Sequence, residues 1–198
     1  MYEWRRMTEA EKEMVRKARR EKRYPWHSPP HQIGDMLYYH ITAACYEHKH
    51  YIGYSADRLA SFSEILVRTF TQAQADIYAW CVLPNHYHVL VKVDDFAQLI
   101  KETGRMHGRT AFYWNREEKR RGRKVWCNCY DRYIRGERHF WATMNYIHHN
   151  AVHHNYVAKW QDWPFSSAIE FMEAFDMAQI SRIWNTYPIL NYGKGWDI

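Results

Sequence analysis

Residues 84–91 read PNHYHVLV. On a strand, positions i and i+2 share a face, so His86 and His88 project together and Tyr87 points the other way. Two adjacent imidazoles form most of a divalent-metal site and lack only a further ligand. The neighbours Val82, Leu83, Val89, Leu90 and Val91 are apolar. They bury the strand, and buried imidazoles need partners. Alone, such a pair is more often structural than functional. A second constellation sits in NYIHHNAVHH, where Tyr146 and Asn150 stand at i and i+4. That spacing puts them one turn apart on one helical face. The apolar stripe of Phe140, Met144, Ile147 and Ala151 lies to one side of it. A phenol is a weak nucleophile at its ordinary pKa near ~10. It can still form covalent intermediates when held in line with a metal-polarised electrophile. An amide oxygen from Asn150 can ligate the same ion. His149 and His153 lie near that helical face and compete for the same role.

Other chemistry-bearing residues are weaker signals. His48 and His50 form a second H-x-H that reads as a solvated turn. Cys127 and Cys129 are spaced too closely for a zinc knuckle, and no second pair exists. His148, His149, His153 and His154 could suggest a zinc hydrolase, but no H-E-x-x-H motif accompanies them. Positive charge is local. The chain carries net +6, while residues 1–24 and residues 116–124 are each net +4. Such runs suit a polyanion, most often nucleic acid. Arg116, Lys119, Arg120, Arg121, Arg123 and Lys124 are the candidate phosphate contacts, with Arg132 and Arg135 extending the surface. Tyr113 or Trp114 could stack on unpaired bases.

The elements that must position these groups can be read from periodicity. MLYYHITAAC is a strand candidate. ADRLASFSEILVRTFTQAQ spaces Leu59, Phe62, Leu66 and Phe70 as a helix, with Ser55 as its cap. DIYAWCVLPNHYHVLVKV is two strands split by Pro84–Asn85. The segment opening at Asp94–Asp95 is a second helix, VWCNCYDRYIRG a strand or hairpin, and ERHFWATMNYIHHNAV a third helix. The order β-α-β-β-α-β-α predicts an α+β domain with an antiparallel sheet and helices packed mainly on one face.

The 198 residues, 46% hydrophobic and 25% charged, suit one globular domain with appendages. Residues 1–34 read as a basic N-terminal arm or helix with a Thr8/Glu11 capping box, residues 35–170 as the main domain, and residues 171–198 as an irregular C-terminal extension. No apolar run approaches the about 20 residues of a membrane span, and the N-terminus lacks an apolar signal-peptide core. Four cysteines show no disulfide-framework density, so a reducing cytoplasm is expected.

AWCVLPNHYHVLVKV, VWCNCYDRYIRG, MNYIHHNAV and DWPFSSA resemble, in order, the REP-associated tyrosine transposases. These are insertion-sequence-200-like, single-tyrosine members of the HUH endonuclease superfamily. The resemblance spans about residues 36–170. It implies a ferredoxin-like antiparallel sheet and a divalent ion, Mg²⁺ or Mn²⁺, on His86, His88 and Asn150. It also implies that Tyr146 attacks single-stranded DNA beside a hairpin and becomes linked to the 5′-phosphate. The protein would be a monomer or homodimer. The chain departs from the family pattern in carrying Ala151 where Pro is usual, HHNYV where Gly-Leu is common, and Cys127 where Gln is usual. A domesticated, inactive hairpin DNA- or RNA-binding protein is the alternative.

Overall fold

The computed structural model describes residues 37–193, together with residues 8–10 and 13. Two compact units divide the chain, Met1–Gln32 and Ile33–Ile198. The expected basic arm lies almost wholly outside the described residues, although residues 9, 10 and 13 are helical.

Within the second unit, four strands form one antiparallel sheet in the order β2-β3-β1-β4. They are β1 (Tyr38–Ala44), β2 (Asp76–Leu83), β3 (His86–Lys92) and β4 (Tyr130–Tyr133). Pro84–Asn85 closes the β2–β3 hairpin, and β1 pairs with β3 so that Thr42 meets His88 and Ala44 meets His86. Alternation sorts the side chains. Tyr39, Ile41 and Ala43 of β1, with Tyr87, Val89 and Val91 of β3, pack on one side. There they meet Phe62, Leu66 and Phe70 of α1 (Ala56–Gln72) and Leu99, Met106 and Trp114 of α2 (Phe96–Glu117). Ser55 caps α1 at the Arg58 N–H, and Asp95 caps α2 at the Gln98 N–H.

The opposite side is covered as well. Ala79, Cys81, Leu83 and Leu90 pack against Met144, Tyr146, Ile147 and Ala151 of α3 (Glu137–His153). Phe171 of α4 (Ala168–Ala174) and Ile180 of α5 (Met177–Thr186) complete that layer. Helices therefore sandwich the sheet rather than lying mainly on one face. The cause is β3, which is buried on both parities up to Lys92 and needs cover twice. The described part of the C-terminal extension, up to residue 193, is likewise ordered rather than irregular. Asp176 and Gln179 form a capping box, and Ile180, Ile183 and Trp184 return at helical spacing to the core.

Two details fix the side of β2 that faces α3. A bulge between Ile77 and Ala79 shifts the strand's phase by one residue, so Ala79, Cys81 and Leu83 point toward α3. The outer edge of β2 is covered by WPFSS. The Val82 N–H donates to the Phe165 carbonyl, and the Ser167 N–H donates to the Trp80 carbonyl. An open edge would invite strand addition, and this segment removes the option.

Buried histidines tie these layers together. His148 of α3 meets Ser167 Oγ at 2.9 Å between Trp160 and Phe171. His107 of α2 stacks on Trp126 and meets the Tyr87 hydroxyl at 3.0 Å. Burial pushes both imidazoles from 6.5 down to about 3. Between those values the unfolded chain binds protons that the folded chain refuses, so acidification favours unfolding. Denaturant titrations should show stability falling from pH 6.5 toward pH 4, by up to about 1.4 kcal/mol per pH unit for each histidine. His107→Phe, which keeps the ring stack, should flatten that slope. An unchanged slope would count against the neutral buried form.

Candidate active site

The strand and helix pairs meet on one face of the sheet. His86 Nε2 lies 3.0 Å from Asn150 Oδ1, and the ring of Tyr146 packs edge-on to His88 at 5.2 Å between centroids. The imidazoles of His86 and His88 are 5.0 Å apart. All four side chains are buried, Tyr146 at 4% exposure. The nucleophile candidate and the metal-ligand candidates thus share one cleft between β3 and α3.

The alternative histidines go elsewhere. His149 faces Trp184, and His153 faces His154. His154 stands against His86 at 4.9 Å between ring centroids. Among the described residues no three His, Cys, Asp or Glu side chains converge as a ligand set. The zinc-hydrolase arrangement is therefore absent from them. Two imidazoles and one amide remain.

That set fits a divalent cation on hydrogen-bond grounds. His86 Nδ1 meets Asn85 Oδ1 at 2.8 Å, while the Asn85 amide N–H donates to the His48 carbonyl at 3.3 Å. Asn85 Oδ1 only accepts, so His86 carries its proton on Nδ1. Its Nε2 lone pair then faces the Asn150 carbonyl lone pairs across 3.0 Å. A second proton on the imidazole or a flip of the Asn150 amide would relieve the conflict. A hard or borderline cation uses both lone pairs at once.

Two residues without a sequence signal complete the cleft. His40 of β1 lies beside His88, with Nε2 at 3.1 Å from His88 Nδ1. Tyr192 stacks over His40, and its hydroxyl reaches His40 Nδ1 at 3.3 Å. Burial pushes the Tyr192 hydroxyl up to about 12. Gly193 follows at φ +80, a left-handed conformation that suits glycine. A Cβ there would fall 2.1 Å from the Tyr146 ring and 2.8 Å from its hydroxyl oxygen. The C-terminal turn therefore lies directly on the Tyr146 phenol.

The basic candidates divide. Arg132 of β4 pairs across from His40, and the shared register puts it on the side of the cleft. Arg135 is exposed just beyond β4, over the Tyr133 ring. Arg116, Lys119, Arg120 and Arg121 are exposed around the end of α2, the helix on the other side of the sheet. Lys124 lies over Tyr46, next to the strand end where Ala44 meets His86. Arg123 is occupied. Glu118 takes both its terminal nitrogens, at 2.6 and 3.0 Å, and Asn115 Oδ1 takes its Nε at 2.9 Å. Those bonds from Arg123, with help from Arg58, hold the Glu118 carboxyl down at about 2. Arg123 thus locks the loop to α2. Tyr113 is exposed, whereas Trp114 is buried against α1.

The chain resembles known proteins. The family profile described as "Transposase IS200 like" matches residues 35–150. The chain belongs to that family of IS200-like transposases. It is 28% identical over 130 residues to a "Putative REP-associated tyrosine transposase" of Haemophilus influenzae, covering 58% of this chain and 70% of the relative. A solved structure of a REP-associated tyrosine transposase bound to a REP hairpin has the same fold. It superposes with a TM-score of 0.54 at 19% identity, over 82% of this chain and 89% of that one.

Gly193→Ala should expose Tyr146. The added methyl cannot coexist with the phenol ring, and the left-handed backbone resists any side chain. Nitration by tetranitromethane, mapped by peptide mass, should rise severalfold at Tyr146 while Tyr87 stays unreactive. Equal nitration of both proteins would show that the turn does not cover the phenol.

Proposed function

We propose that the protein is a metal-dependent single-stranded DNA endonuclease and strand transferase that acts beside hairpins through Tyr146. One observation carries the reading: the Tyr146 ring packs against His88 on the same face where His86 meets Asn150. His86, His88 and Asn150 would hold Mg²⁺ or Mn²⁺. When bound, such an ion neutralises phosphate charge and orients the scissile group. The phenol oxygen of Tyr146 forms a bond to phosphorus as the bond to the 3′ oxygen breaks. The phenol gives up its proton and the leaving 3′ oxygen gains one, so the products are a 5′-phosphotyrosine and a free 3′-OH. The ester bond is exchanged rather than hydrolysed, so rejoining needs no nucleotide cofactor. The exposed Arg132 supplies positive charge on the cleft side for the DNA backbone, and Arg135 adds charge just beyond the end of β4.

Incubation with labelled hairpin DNA and Mn²⁺ should give a covalent adduct that Tyr146→Phe abolishes. His86→Ala should remove cleavage yet leave hairpin affinity within about threefold in chelator. An adduct formed equally by Tyr146→Phe would end the assignment. Arg132→Ala should weaken hairpin binding and lower the salt slope by about one ion. Arg123→Ala should instead cost about 1–3 kcal/mol of stability, since it leaves Glu118 with Arg58 alone and frees the loop.

A second reading is a hairpin-binding protein that does not cleave. The seating of Gly193 on Tyr146 favours it. It requires DNA affinity that is indifferent to chelator and no adduct from the unaltered chain.

A further inference from the structure

We propose that His40 is a positioning residue: it holds His88 in the Nδ1-protonated tautomer, so that His88 Nε2 offers its lone pair to the cation shared with His86 and Asn150. This rests on the active-site reading above. It adds a residue outside both sequence motifs, brought in by β1.

The protons can be assigned from outside inward. The Arg135 backbone N–H meets His139 Nδ1 at 3.1 Å. A backbone N–H only donates, so His139 Nδ1 accepts and the neutral ring carries its proton on Nε2. Burial, Arg132 and Arg135 all favour the neutral form of His139. His139 Nε2 then donates to the Tyr192 hydroxyl oxygen at 3.4 Å. Thr143 has one hydroxyl proton, and the His139 carbonyl, 2.7 Å away, only accepts. The Tyr192 hydroxyl is also 2.7 Å from Thr143 Oγ1, and since the carbonyl can only accept, the arrangement that satisfies both contacts has Thr143 donate to the carbonyl and Tyr192 donate to Thr143. Tyr192 has then spent its own proton. Its remaining lone pair accepts from His40 Nδ1 at 3.3 Å. A neutral His40 protonated on Nδ1 presents a lone pair on Nε2, which takes the proton of His88 Nδ1 at 3.1 Å.

In this wiring each of these contacts has one donor and one acceptor. The reverse wiring would put a proton on His88 Nε2 and take the residue out of the ligand set. Metal-binding histidines commonly donate their other ring nitrogen to a fixed acceptor that sets the tautomer. Here an imidazole fills that role. The site is closed enough for the order to matter, since His40 is 2% exposed and His88 is 0%.

The tautomer can be read without metal or DNA. Long-range proton–nitrogen spectra of the full chain should show His88 protonated on Nδ1. His40→Gln retains an amide oxygen as acceptor and should keep that form; His40→Leu should shift His88 toward Nε2 protonation. Manganese affinity, followed by the electron-paramagnetic-resonance signal of free Mn²⁺, should fall about 10–100-fold in His40→Leu and by less than about threefold in His40→Gln. A His88 protonated on Nε2 in the unaltered protein overturns the proposal. So does Mn²⁺ affinity in His40→Leu equal to wild type, or equally lost in both variants. If the leucine variant does not fold, Tyr192→Phe removes the acceptor while keeping the ring. It should shift the tautomer and weaken Mn²⁺ severalfold, and wild-type behaviour would overturn the idea equally. Failure of the unaltered chain to bind Mn²⁺, with His88 still protonated on Nδ1, would sink the metal reading and leave the His40 arrangement standing.

Discussion

Everything at this site depends on a match between two repeats. Alternate residues of a strand are about 6.7 Å apart, and residues four apart on a helix are about 6 Å apart along its axis. A helix laid along a strand can therefore pair two successive same-face positions with two successive turns. That is what α3 does on β3: Tyr146 meets His88 and Asn150 meets His86. Numbers rise along the helix while they fall along the strand, so the two run in opposite senses. A three-residue helical spacing would lag behind the strand repeat, and an i, i+1 spacing would point around the helix.

The same geometry explains why so many polar groups tolerate burial. An amide or imidazole removed from water without a partner costs on the order of 1–3 kcal/mol. His40 and His88 avoid that penalty by bonding to each other and His86 by bonding to Asn85, whereas the Asn150 amide nitrogen has no hydrogen-bond partner among the described residues and its oxygen faces the His86 lone pair. The patch sits in an apolar surround of Leu83, Leu90 and Ile147, where competing water is scarce. The cost of losing any one member is thus shared by its neighbours, which makes the network cooperative. His148 extends the logic to the back of α3. Its bond to Ser167 fastens the helix to the WPFSS segment that edges β2. The two distant sequence motifs NYIHHN and DWPFSS are therefore parts of one packed layer.

Much of this was legible because it is local. Ser55, Asp95 and the Pro84–Asn85 turn announce their elements, and the H-x-H and Y-x-x-x-N spacings each commit to one face. Their meeting was implied only by family resemblance. His40 and Tyr192 were not legible. The first needs the β1–β3 register, and the second lies 152 positions from its partner. The helical layer on both faces was missed because a continuous apolar run such as VLV does not say how many sides are covered. Arg123 looked like a free cation because charge runs do not reveal that Glu118, five residues earlier, folds back to meet it.

The bulge at Tyr78 lets β2 carry one residue more than its partner without losing step. Before it, Ile77 belongs to the layer of α1 and α2; after it, Ala79, Cys81 and Leu83 belong to the layer of α3. A substitution at Tyr78 changes one side chain. Deleting it would join Ile77 to Ala79 as consecutive residues, which alternation already places on opposite faces, so Ile77 would still meet Val91, Ala79 would still meet Leu90, and the contacts of Tyr78 with Tyr38 and Phe140 would be lost. The strand can therefore lose this residue without turning either half over. The extra residue behaves like a gusset, adding a second side chain, Tyr78 beside Ala79, to the α3 side while both seams stay where they were.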